Sequence, residues 1–246
     1  MSIALAQPAV HSCYHKCLTL YFDRVFRKLT RTIGLKYEYA PVAGKVSGEV
    51  DFSLFPHAEL DWNEVPPQFR GTHIIRDPRD LLISAYHYHL RTDEEWCAKP
   101  NPAHKNLPAD VSYQQYLQSL DVEDGILYEL NNVSGGIITK MGRWPYEDAR
   151  VLELRFEEMV GHEREHFAKI FAWYGLPDEH MNTALEIAES LSLKKLPNNA
   201  EGLKHARKGS RFGQWREFFT PRITEVFKER HGETLIRLGY EQDQRW

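Results

Sequence analysis

The 246-residue chain has three cysteines, Cys13, Cys17 and Cys97. So few, and an odd number, exclude a disulfide scaffold and fit a reducing compartment. No apolar run approaches the roughly 20 residues that span a bilayer. The opening MSIALAQPAV carries an A-L-A step, but it has no basic stretch and too short an apolar segment for a signal peptide. These absences predict a cytoplasmic protein without a membrane span. There is no surplus of positive charge either: 31 Lys plus Arg against 35 Asp plus Glu leave −4. That argues against a nucleic-acid binder, whose affinity comes from broad phosphate neutralisation. Any anionic ligand must then be held by local basic clusters. Internal repeats and low-complexity tracts are lacking. The one Gly-Lys pair, Gly44-Lys45, is followed by Val46, which argues against the Gly-x-x-x-x-Gly-Lys-Ser/Thr loop of a P-loop kinase.

What is present is ordinary globular composition, 42% hydrophobic and 27% charged, which excludes wholesale disorder. Apolar stretches at Ala9 to Cys13, Val50 to Phe55, Thr72 to Ile75 and Val151 to Phe156 predict strands. Between them Leu18, Phe22, Val25, Phe26, Leu29 and Ile33 recur at helical spacing, with Gly34 as the stop. Asp77-Pro78 predicts a capped helix start running to about Arg91. Phe167, Ile170, Phe171 and Tyr174 mark a further helix, closed by Gly175 and Pro177. Asp178 to Leu191 and Pro221 to Leu238 predict two more, while 41–48 and 96–110 read as loops. Strands alternating with helices imply one α/β domain over 1–246, with a mostly parallel sheet covered by helices. Ligands of such folds bind at the carboxyl ends of the strands.

Three basic constellations fall there. His15-Lys16-Cys17-Leu18-Thr19 lies between the first strand and the first helix, whose N-terminus attracts anions. Arg76 directly follows the third strand, and Ser84 lies about two turns into the next helix, from where it can face back toward the strand end. An Arg76–Asp80 ion pair with Ser84 as a packing residue is the competing expectation. From Leu203 to Arg216 the chain carries Lys204, Arg207, Lys208, Arg211 and Arg216 and no acid. With Gly209 at its centre, such a stretch can wrap a phosphate.

In this order the motifs resemble those of the cytosolic-type sulfotransferase family, which uses 3′-phosphoadenosine 5′-phosphosulfate (PAPS). Arg76-Asp77-Pro78-Arg79-Asp80 through Ser84 is similar to the family's 3′-phosphate motif. Arg207-Lys208-Gly209 followed by Gly213, Trp215, Phe218, Phe219 and Thr220 resembles its C-terminal motif. Leu154-Arg155-Phe156-Glu157-Glu158-Met159 resembles the strand end that brings an aromatic near the adenine. The family's Pro-Lys-Ser-Gly-Thr-Thr-Trp loop corresponds to His15-Lys16-Cys17-Leu18-Thr19-Leu20-Tyr21, where glycine is Leu18 and the second threonine is Leu20. Leu18 limits any turn that needs positive φ.

The resemblance implies a P-loop nucleotide-kinase-like fold and sulfuryl transfer from PAPS to a hydroxyl or amine of a small-molecule or glycan acceptor, releasing PAP. It implies that Lys16 assists the leaving group, that residues 16–20 cradle the 5′-phosphosulfate, and that Tyr21 replaces the tryptophan that packs near the adenine. Arg76, Ser84, Arg207, Lys208 and Gly209 would hold the 3′-phosphate, and Phe156 would lie near the adenine. It requires no metal. The family's base histidine follows a strand, which makes His57 in Phe55-Pro56-His57 the candidate, with Glu59 and Asp61 competing. Two other readings remain. One is a metal site on His11-x-Cys13-x-His15-x-Cys17; the other is a non-catalytic nucleotide binder on the same fold.

Overall fold

The computed structural model describes residues 5–39, 44–46, 50–104, 106–192 and 212–246. The chain divides into two compact units, Met1–Arg76 with Trp144–Leu196, and Asp77–Arg143 with Pro197–Trp246.

The first unit holds the sheet. Its strands are β1 (Ala9–Ser12), β2 (Tyr37–Tyr39), β3 (Phe52–Phe55), β4 (Arg70–Ile75) and β5 (Val151–Arg155). They lie in the order β2-β3-β1-β4-β5, and every pair is parallel. All four residues of β1 are buried, as expected of a central strand covered on both faces. Val10 pairs with Ser53 and Gly71, and Ser12 with Phe55 and His73.

Helix α1 (Thr19–Ile33) follows β1 and covers one face. Tyr21, Phe22, Val25, Phe26, Leu29 and Ile33 are buried, and Gly34 ends the helix in the left-handed conformation with its N–H on Thr30 O. Phe22 stacks on His11 at 3.8 Å, and Phe26 lies 5.3 Å from Phe52. Behind β5 come the one-turn α7 (Phe156–Met159), α8 (Glu163–Trp173) and α9 (Asp178–Ser190). Phe167 of α8 meets Tyr21 and Phe22. The opposite core comprises Val10, Val46, Phe55, Leu60, Val65, Phe69 and Trp144.

Among its described residues the second unit has helices and no strand: α2 (Pro78–His89), α3 (Glu95–Ala98), α4 (Tyr113–Ser119), α5 (Val122–Glu129), a π-helical turn at Leu130–Ser134, α6 (Gly135–Arg143), α10 (Trp215–Phe218) and α11 (Pro221–Arg237). The buried Glu129 carboxylate organises it. Glu129 accepts from the Tyr113 hydroxyl (2.9 Å) and the Ser134 hydroxyl (2.6 Å), and lies 2.8 Å from His89 Nδ1.

Several expectations are corrected. Trp96 to Ala98 form a helical turn, not loop. Strand β2 and helices α4 to α6 lack a clear sequence signal. Phe156 opens α7 and is not the last residue of the strand, because β5 pairing ends at Arg155. Cys13 lies one residue past β1, and α2 ends at His89. No helix among the described residues is long and apolar enough to cross a membrane.

Candidate active site

Between β1 and α1 the backbone makes a tight turn. Cys17 N–H donates to Tyr14 O at 3.0 Å, and the Thr19 hydroxyl donates to the same carbonyl at 3.1 Å. Within this turn Lys16 has φ +66° and Leu18 φ +63°. A side chain in the left-handed region costs roughly 1–2 kcal/mol, so the loop adopts the positive φ that Leu18 was expected to resist and carries the strain. Leu18 is also the N-cap of α1, and no described side chain caps that end. Helices α2, α4, α5 and α11 are capped instead by Asp77, Ser112, Asp121 and Thr220. The first turn of α1 contains no acid, so its positive dipole end is not neutralised within the helix.

Arg76 emerges from the carboxyl end of β4, with its side chain buried. Its Nη1 donates to Lys16 O at 3.4 Å, and its guanidinium carbon lies over the Phe156 ring. The structure therefore brings together Lys16, Cys17, Leu18, Thr19, Arg76 and Phe156 at the carboxyl ends of β1, β4 and β5, which are neighbours in the sheet. Burial pushes the Cys17 thiol upward, opposed by the Arg76 charge. Leu20 is exposed at 41%. Tyr21 is packed on Phe167, and its hydroxyl donates to Ala188 O at 2.9 Å.

The remaining candidates lie elsewhere. Ser84 lies on α2 of the second unit and is half-buried. Arg207, Lys208 and Gly209 fall outside the described residues. His57 is exposed in the turn after β3, beside Ala58 at φ +50°. Glu59 is exposed, and Asp61 accepts from Asn63 N at 3.0 Å. His11 Nδ1 lies 2.8 Å from Thr72 Oγ1, and Cys13 Sγ lies 3.2 Å from Thr19 Oγ1. Both side chains thus contact neighbouring elements of the fold.

Sequence reasoning missed a second polar cluster on the sheet. His73 Nδ1 lies 2.6 Å from Glu153 Oε2, and Trp144 Nε1 donates to Glu153 Oε1 at 2.9 Å. Trp144 stacks on the His73 ring at 3.9 Å. Burial holds His73 below its usual pKa, although Glu153 pulls it upward. A histidine and a glutamate in the middle of two apolar strands were the available signal, since buried polar groups must find partners.

A helix N-terminus with a buried arginine beside it at the carboxyl edge of a parallel sheet suits an α/β protein with an anionic ligand. The sulfotransferase domain model matches residues 66–239, well over half of the chain, and the chain belongs to the sulfotransferase family. No curated protein matches it in a sequence search. Among solved structures it is similar in fold to mouse sulfotransferase SULT7A1 complexed with PAP, at 20% identity and a TM-score of 0.51, covering 93% of this chain and 84% of that one. It is also similar to retinol dehydratase in complex with androsterone and inactive cofactor PAP, at 15% identity, TM-score 0.50, and 92% and 80% coverage. A second retinol dehydratase complex, with retinol and PAP, gives 14% identity, TM-score 0.51, and 95% and 82%.

Proposed function

We propose that the protein is a PAPS-dependent sulfotransferase. The observation that carries this reading is the contact of Arg76 with the Phe156 ring and with Lys16 O, in the turn that leads into the N-terminus of α1. The donor suits these residues: its phosphosulfate is anionic and the helix end, Lys16 and Arg76 are cationic, while its adenine matches an aromatic such as Phe156. PAP in the solved relatives supports the same ligand. Residues 16–20 would cradle the 5′-phosphosulfate, and Tyr21 would stand near the adenine. Arg76, Ser84, Arg207, Lys208 and Gly209 would hold the 3′-phosphate.

In the reaction, an acceptor oxygen or nitrogen bonds to sulfur as the bond from sulfur to the bridging phosphate oxygen breaks, leaving PAP. Lys16 stabilises the charge on that departing phosphate, and His57 takes the acceptor proton, with Glu59 and Asp61 as the alternatives. Positioning and electrostatics supply most of the rate in such transfers. The acceptor is a small molecule or a glycan. Androsterone and retinol in the relatives favour the first. The three buried free thiols fit a reducing, cytoplasmic setting.

A second reading, binding without turnover, is favoured by Leu18 and Leu20 in place of the family's glycine and threonine. Calorimetry with PAP, together with PAP release from PAPS over an acceptor panel, separates the two. Micromolar or tighter binding with transfer supports the enzyme, binding without transfer supports the second reading, and absence of binding overturns both.

A further inference from the structure

The function above leaves the His73–Glu153 pair unexplained. His73 of β4 lies opposite Glu153 of β5 in the ladder, and Ser12, the last residue of β1, pairs with His73 from the other side. One carboxylate holds two rings. Its Oε2 lies 2.6 Å from His73 Nδ1, and its Oε1 accepts from Trp144 Nε1 at 2.9 Å. The imidazole and the indole stack at 3.9 Å with 12° between their planes, so His73 cannot tilt or turn without losing the bond or the stack. Its Nε2 has no hydrogen-bond partner among the described residues, which leaves the carboxylate as the polar restraint on that ring. Against the clamped ring lies Tyr14, edge to face at 5.3 Å and 78°. His73 and Tyr14 are both buried, at 0% and 1% exposure. Apolar side chains would fill the same space without desolvating an imidazole and part of a carboxylate. What the polar pair adds is a fixed orientation.

Tyr14 is the residue on which the turn before α1 closes. Its carbonyl accepts from both Cys17 N–H and the Thr19 hydroxyl. Within that turn Lys16 and Leu18 hold positive φ, and such conformations persist only where the surroundings over-determine them. A displaced Tyr14 would loosen both hydrogen bonds and let the turn relax. We propose that Glu153 is a positioning residue for donor binding. Through His73 it fixes the Tyr14 ring, and with it the carbonyl that keeps residues 16–20 in the shape that receives the 5′-phosphosulfate. This rests on the donor assignment made above.

The test is a double-mutant cycle read by calorimetry with PAP and with adenosine 3′-monophosphate, which lacks the 5′-phosphate that the turn would receive. Glu153→Leu removes both hydrogen bonds and should weaken PAP about tenfold, while changing the affinity for the monophosphate by less than about twofold. A general loss of structure would weaken both nucleotides alike. Glu153→Gln keeps the shape and one acceptor oxygen, and should show the same selectivity with about a threefold loss; it keeps the test available if Glu153→Leu does not fold. His73→Phe retains a ring without Nδ1, and in that background Glu153→Leu should cost less than about twofold more. An unchanged PAP affinity in the Glu153 variants, an equal loss for both nucleotides, or full additivity with His73→Phe overturns the proposal. If the wild type binds PAP no better than adenosine 3′-monophosphate, the donor assignment fails instead.

Discussion

The guanidinium carbon of Arg76 lies 4.3 Å from the centroid of the Phe156 ring, so a cation that leaves β4 is held flat by the first residue after β5. The contact fixes a long side chain before any ligand arrives, which lowers the entropic cost of using it. Arg76→Ala should weaken PAP binding about 10- to 100-fold, in line with roughly 1.5–3 kcal/mol for hydrogen bonds to a charged group. Phe156→Ala should produce a smaller loss by freeing the guanidinium. Equal PAP affinity in wild type and Arg76→Ala, measured by calorimetry, would remove the 3′-phosphate assignment.

His57 is expected to act on the acceptor and not on the nucleotide. His57→Ala should leave PAP affinity within about twofold and lower kcat at least about 100-fold, as loss of a general base does. Retained turnover would transfer the role to Glu59 or Asp61.

The left-handed turn gives an inverted order of stabilities. Leu18→Ala keeps positive φ and loses buried apolar surface. Leu18→Gly loses one carbon more, yet releases the strain. The glycine variant should therefore be the more stable of the two by about 1 kcal/mol in urea unfolding, whereas glycine ordinarily ranks below alanine. The ordinary ranking at this position would show that Leu18 is unstrained.

Acid should destabilise the fold before its carboxylates titrate. Burial holds His11 well below its usual pKa and lowers His231 to about 4; it also lowers His73, against the opposing pull of Glu153. The unfolded chain takes up these protons first, near pH 6.5, so their stabilising contribution is complete above that value and declines as pH falls toward 4. The urea midpoint should drop between pH 7 and 5, and His231→Gln should flatten the slope. A midpoint constant over that interval contradicts the buried neutral histidines.

The thiols should be silent in the native state. Burial raises Cys13 and Cys97 to about 12, and Cys17 also moves upward. At pH 8, iodoacetamide should label all three about 1000-fold more slowly than in the unfolded chain, because only the thiolate reacts. Rapid labelling of Cys17 would mean that the Arg76 charge outweighs burial there.

The parts of this fold legible in the sequence are those where one periodicity acts alone. The apolar stripe from Phe22 to Ile33 and the buried runs that became β3 and β4 needed no tertiary information. Between Tyr113 and Arg143 the helices are short and joined by a π-helical turn, and a buried Glu129 with three polar partners breaks the apolar pattern. At the site, Lys16 and Arg76 could be picked out because Lys16 lies between β1 and α1 and Arg76 directly follows β4. The His73–Glu153 pair could not, since it depends on β4 and β5 lying side by side although 80 residues separate the two side chains. Asp80 invited pairing with a nearby cation, and its backbone partners lie more than 130 residues away.

The order of the strands also bears on how the chain is made. β1 sits in the middle of the sheet, yet its partners begin at Phe52 and Arg70. At about 5–20 residues per second, a ribosome needs several seconds after releasing β1 to deliver both neighbours. Through that interval an apolar segment with two bare edges waits unaccompanied, a target for holdase chaperones and for nascent copies on adjacent ribosomes.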